Sequence, residues 1–204
     1  MARVYEFAGV IPVIDPTAFV HPEAVVIGDV IIGPGCYVAP FASLRGDFGR
    51  ITIEAGVNVQ DSCTLHAFPG KATLVEADGH IGHGAILHGC TVRRGALIGM
   101  NAVVMDDAVV GEFAFVGAAS FVKAGFAVPA RSLAAGNPAT TIRPLSETEL
   151  AWKANGTRVY QRLAQRSLTT MRPAVALAVA GPDRRGVLWD EGTASPLHVV
   201  KKQV

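Results

Sequence analysis

Three histidines, His66, His83 and His88, lie close together in a chain of 204 residues, with Arg45, Asp47, Gln60 and Asp61 shortly before them. Imidazoles in threes, with carboxylates and an amide at hand, are the makings of a catalytic zinc site, which commonly takes three histidines plus water. One histidine of the set would instead serve as the general base of an acyl transfer. Spacing by itself also fits surface histidines of an inert scaffold. The elements that position these side chains must decide.

A repeat of six does the positioning. Aliphatic residues recur at Val20, Val26, Ile32, Val38 and Leu44, and the frame resumes after short insertions at Ile53, Val59 and Leu65, then at Val75, Ile81 and Leu87. It continues through Val92, Ile98, Val104, Val110, Val116 and Val122, with small residues such as Cys36, Ala42, Cys63, Ala85 and Ala96 four places after most of these positions. Neither a helix nor an ordinary sandwich produces that period. It predicts an all-β repeat, a parallel β-helix: each hexapeptide is a short strand and a corner, three make a triangular coil, and stacked coils bury one aliphatic column. Taken in threes, the frame puts Val20, Val38, Val59, Ile81, Ile98 and Val116 on a first face. Val26, Leu44, Leu65, Leu87, Val104 and Val122 fall on a second, and Ile32, Ile53, Val75, Val92 and Val110 on a third.

This frame gives the histidines directions. His66 follows Leu65 and His88 follows Leu87, so both stand outward on the second face in consecutive coils, stacked at a strand spacing of roughly 4.8 Å. Two imidazoles so placed share one ion. His83 lies two places after Ile81 on the first face, in a column above Asp61. A third ligand for the pair must then come from another copy, which predicts a cyclic homotrimer with His66 and His88 of one subunit meeting His83 of the next. Arg45, one coil below His66, and Asp47 are expected to pair across that interface. Gln60 and Asp61 are expected to orient a ligand. His21 and His80 read as turn or surface residues.

Half the residues are hydrophobic and 17% charged, which excludes disorder. The net charge of +1 offers no field for nucleic acid, although residues 1–140 carry 8 basic and 12 acidic side chains and residues 141–204 carry 10 and 5. Three cysteines without a CxxC pair suit buried reduced thiols. The absence of an apolar run of about 18 residues and of a signal-like start leads to an expectation of a cytoplasmic protein without membrane contact. After the β-helix domain of residues 1–140, Ser146 with Glu149 forms a capping box opening a C-terminal α-helix through about Lys153. Asn155-Gly156 reads as a break, Thr157–Leu168 as a second helical stretch that lays Tyr160 along the coils. The helical segment is thus 141–172, and 173–204 reads as an irregular tail.

The stretches ASLRGDFGRITIEAGVNVQDSCTLH, GHIGHGAILHGC and IGMNAVVMD are similar to the γ-class carbonic anhydrase family of hexapeptide-repeat, left-handed β-helix proteins. RGDFGRI, QDSCTLH, DGHIGHGAILHGC and ELAWK with the following VYQ resemble most closely its members from phenylacetate degradation and carnitine operons. The resemblance implies a left-handed coil, metal ligands at His66, His83 and His88, interfacial Arg45 and Asp47, and Gln60 and Asp61 lining the site. The ion would be Zn2+, with Fe2+ or Co2+ equally acceptable to three histidines. Bound water activated there attacks CO2 or, as the phenylacetate relatives imply, the thioester of an aryl-acetyl-CoA, with Tyr160 contacting substrate. The chain departs from the family's prototype at Phe48, where a glutamate is expected, and after His66, where AFPGKATL carries no proton-shuttling acid. Weak CO2 hydration and a bulkier, partly apolar substrate follow. Two other readings remain open: an acyl-CoA-dependent acyltransferase and a non-catalytic trimeric accessory protein.

Overall fold

Every in-frame aliphatic from Val26 to Val122 is at most 1% exposed, and only Val20, in the first coil, is partly open. The computed structural model, which describes residues 2–189 and 195–201, is a parallel β-solenoid of about seven turns with the architecture of a left-handed hexapeptide-repeat helix. Its first face stacks the strands Phe19–Val20, Tyr37–Val38, Asn58–Val59, His80–Ile81, Leu97–Ile98, Phe115–Val116 and Ser132–Gly136 in parallel. The register pairs Val20, Val38, Val59, Ile81, Ile98 and Val116 in turn, as the frame requires. The last turn is closed by Ala139–Pro144, antiparallel to Ser132–Gly136.

The second and third faces form one twelve-stranded sheet, because Val25–Ile32 and Ser43–Ile53 run without interruption round the corner between them. On the second face Leu44, Leu65, Leu87, Val104 and Val122 are in register. Ile53, Val75, Val92, Val110 and Val128 are in register on the third. The small residues four places after most of the aliphatics, Cys36, Ala42, Cys63, Ala85 and Ala96 among them, are fully buried where the coil tapers into its corners. Burial pushes the three thiols up, Cys90 to about 12, so they are inert.

Two insertions interrupt the frame on this sheet, residues 45–50 and 66–73. They touch: a Cβ on Gly49 would collide with the Lys71 carbonyl oxygen, so glycine is what lets the excursions close on each other. At the corner after His83 the backbone of Gly84 takes φ +70°, and a side chain there would also strike Asn101 of the next coil.

Helix α1, Glu147–Thr170, opens with the capping box read from Ser146 and Glu149, both halves of which form. It does not break at Asn155-Gly156, where a break was expected. Glycine inside a helix costs only about 1 kcal/mol relative to alanine, and here the docked face outweighs that. Ala164 is fully buried, and with Tyr160 and Leu163 packs on Phe19, Tyr37 and Ala39 of the first face. The stretch expected to be irregular throughout carries a short helix α2, Leu197–Val200, tied back by the Trp152 indole N–H to the Ser195 carbonyl (2.8 Å) and by Lys201 to Glu149 (2.7 Å). No helix among the described residues is long and apolar enough to cross a membrane.

Candidate functional site

His66 and His88 are paired residue for residue on the second face, and their rings meet, with His66 Nδ1 and His88 Nε2 3.3 Å apart. Each ring is held from behind by a carboxylate. His66 Nε2 lies 3.0 Å from Asp47 Oδ1, and His88 Nδ1 lies 2.8 Å from Asp106 Oδ1. An ionised carboxylate only accepts, so each rear nitrogen donates to its carboxylate, and a ring carrying that single proton turns a lone pair towards its partner. Two such lone pairs can take one cation between them. Ligands on a tetrahedral ion with Zn–N near 2.0 to 2.1 Å stand about 3.3 Å apart, so the spacing fits a metal, and so do the carboxylates, since metal-bound histidines usually donate their other N–H to such a partner.

The insertions supply the rest of this surface. Asp47 also receives the Arg45 guanidinium at 2.7 Å. Burial would raise the Asp47 carboxyl, but hydrogen bonds from Arg45 and His66 outweigh it and hold it below its ordinary value. Arg45 and Asp47, expected to pair across an interface, already meet within one chain, two residues apart on the same strand. Phe48 lies tilted 5.2 Å from His66 and Phe68 edge-on 4.9 Å from His88, ring centre to ring centre, giving the pair an apolar flank.

His83 is elsewhere. It projects from the first face with its Nδ1 2.7 Å from Asp61 Oδ2, in the column the frame assigned to both. Among the described residues no three histidine, cysteine or acidic side chains gather as a metal-holding group within one chain. One chain thus offers two convergent ligands on one face and a third histidine on another.

The first face carries a second polar cluster. Gln60 is 3% exposed; its Oε1 accepts from the His83 backbone N–H at 3.2 Å, and its Nε2 contacts Asn58 and His80 at 2.9 and 2.7 Å. His80 was expected to be a turn or surface residue; it stands on the strand His80–Ile81, half-buried under α1 and edge-on to Tyr160 at 5.3 Å. Burial, then the charges of Lys153 and His83, push its pKa down to about 3, so it is neutral. Tyr160 stands between His80 and Tyr37, and burial raises its hydroxyl to about 12. It faces this cluster and not the His66–His88 pair. His21 is the turn residue expected, its Nδ1 accepting from the Glu23 N–H.

Asp106, Asn58 and His80 escaped the reading of the sequence. Asp106 had a signal, a carboxylate one place past the histidine phase in the coil above His88. The other two had none until the helix was in place.

The profile of the bacterial transferase hexapeptide family (six repeats) matches residues 12–46. The carnitine operon protein CaiE of Proteus sp. (strain LE138) is 50% identical over 186 residues, which are 90% of this chain and 94% of that protein. That of Salmonella typhimurium is 54% identical over 180 residues, 88% of this chain and 91% of its own. The chain belongs to the CaiE family of hexapeptide-repeat proteins. Among solved structures, the CaiE-family chain superposes on the BC4754 gene product of Bacillus cereus with TM-score 0.82 at 35% identity, over 83% of this chain and 99% of the other. A hexapeptide transferase family protein from Anaplasma phagocytophilum gives 0.78 at 35%, over 80% and 97%. These relatives carry the carnitine name and the transferase name, so the phenylacetate connection rests on sequence resemblance alone.

Proposed function

We propose that this CaiE-family protein is a metal-dependent hydrolase or hydratase working at sites shared between copies of the chain in a trimer. The observation that carries the reading is the facing pair of ring nitrogens, His66 Nδ1 and His88 Nε2, 3.3 Å apart, with a carboxylate behind each ring. His66 and His88 would hold the ion with His83 of a neighbouring copy, and a Zn2+ there supplies a Lewis acid and a nucleophile at neutral pH. Around it Asp47 and Asp106 fix the ring orientations, Arg45 tethers Asp47, and Gln60, itself held by Asn58, braces the His83 backbone. Phe48 and Phe68 give the pair an apolar flank. The substrate is an acyl thioester of coenzyme A in preference to CO2: with Phe48 and Phe68 at the pair, no acid lies ready to export the proton that hydration releases, whereas a thiolate leaving group needs no strong acid. A phenylacetate or a carnitine context is open to this chemistry alike.

Elemental analysis of the purified protein tests the framework. One metal per chain is expected, lost from His66→Ala, His83→Ala and His88→Ala and kept in His21→Ala and His80→Ala. Metal retained by His83→Ala would remove the shared site.

The transferase name of the Anaplasma relative favours a second reading, acyl transfer from coenzyme A with a histidine as base. His80, the histidine beside the buried amide cluster, has a pKa of about 3 and is a poor base near neutrality. Acyl transfer to an added amine by metal-free protein would reverse the ranking.

A further inference from the structure

Between α1, the C-terminal segment and the upper half of the first face runs a cavity of about 510 Å3, within the usual span of ligand pockets, roughly 300 to 1,000 Å3. Its floor is lined by glycine, Gly82, Gly99 and Gly117, at the phase filled by Ala39 and Gln60 lower down; a Cβ on Gly82 or Gly99 would strike the backbone of the next coil. Its roof has a gap. Gly156 faces the cavity from the middle of α1, and a Cβ built on it meets no atom within 4 Å.

The walls sort by polarity along the solenoid. Leu97, Phe115, Leu133, Trp152 and Leu197 make the far end apolar, and the Trp152 indole is spent on Ser195, which holds the C-terminal wall in place. Gln60, His80 and Tyr160 gather at the other end, with His83 on the rim. Those three are uncharged at neutral pH, and Lys153, lowered by burial to about 8, donates its hydrogen bond to the Asp78 carbonyl outside the cavity. Lys153 lines the wall and keeps its charge at neutral pH, with its ammonium engaged by that carbonyl. A neutral apolar group entering tail first finds apolar walls along its length and hydrogen-bonding groups where its carbonyl arrives.

We propose that this cavity binds the acyl part of the substrate, an apolar acyl group larger than acetyl, with its carbonyl at the Gln60 end beside His83. The proposal rests on the hydrolase reading for its substrate, and the pocket itself can be tested without that reading. Gly156→Leu fills the cavity from a position with open space in front of it and replaces glycine by a better helix former, so the fold should gain.

The experiment uses metal-stripped full-length protein carrying Trp189→Phe, which leaves Trp152 as the sole tryptophan. Hexanamide should change Trp152 emission saturably and acetamide should not. In Gly156→Leu the hexanamide affinity should fall about tenfold or more, a loss of at least 1.4 kcal/mol, while the melting temperature stays level or rises. In metal-loaded protein the same variant should shift thioester preference from hexanoyl towards acetyl. Unchanged hexanamide binding in a folded Gly156→Leu protein, or no binding by the parent, overturns the pocket even if thioesters are hydrolysed. Hexanamide binding that Gly156→Leu abolishes, in a protein with neither metal nor hydrolysis, upholds the pocket and overturns the hydrolase reading alone.

Discussion

Asp106 touches no substrate in the proposed site, yet its removal should weaken metal binding by a calculable amount. Its Oδ1 lies 2.8 Å from His88 Nδ1, with side-chain exposures of 15% and 21%, so the contact is poorly screened. Deleting a carboxylate behind a metal-bound histidine typically costs 10–100-fold in affinity, or about 1.4 to 2.7 kcal/mol. Asp106→Asn keeps a carbonyl oxygen for the ring N–H and loses only the charge, which places it near the tenfold end. Asp106→Ala also frees the ring to turn and to move its proton to the facing nitrogen, which places it near the hundredfold end. Asp47 is a worse probe because it also holds Arg45. The neighbouring Asp107, 60% exposed and paired with Lys71, is the control. Zinc affinity is read by competition with a chelator at one pH, with thermal unfolding of the metal-free proteins to show that each is folded. An Asp106→Ala protein that binds zinc no more weakly than Asp107→Ala would refute the assignment of the His66–His88 pair as ligands.

Three further outcomes are expected. Arg45→Ala should release Asp47 and weaken the trimer, seen by light scattering as dissociation at low protein concentration; a metal-loaded monomer of wild type would sink the shared site. Stability should fall with acid in two stages. Below about 6.5 the unfolded chain protonates at His80 while the folded one refuses until about 3, and as pH falls further the stability from Glu149, whose carboxyl Arg143 and Lys201 hold well below the carboxylate range, is lost too. Melting temperature against pH should thus flatten between 6.5 and 4.5 in His80→Gln, whereas Glu149→Gln should cost about 2 kcal/mol at neutral pH through its charged hydrogen bonds, roughly 4 to 8 °C. In low buffer, CO2 hydration should be slow and thiol release from acyl-CoA measurable and abolished by chelation; fast, buffer-independent hydration without thiol release would reverse the substrate order.

How much of this was legible follows from what a period of six can encode. It fixes which residues point inward and which stack on which, because a coil of three hexapeptides returns each phase to the same face whatever the insertions do. Hence the aliphatic column, the small residues at the corners, the His66–His88 ladder and the His83–Asp61 column were all read from spacing, and the Ser146–Glu149 cap from a local pattern. Phase says nothing about what covers an outward side chain. His80 is outward on a face that α1 covers, so a residue with the look of a surface histidine is a half-buried, neutral group on a cavity wall, and the same docking carried α1 straight through Gly156. That Asp47 stands behind the His66 ring and Asp106 behind the His88 ring depends on how their coils stack. Those are contacts between segments far apart in the chain, set by packing, and only the folded molecule decides them.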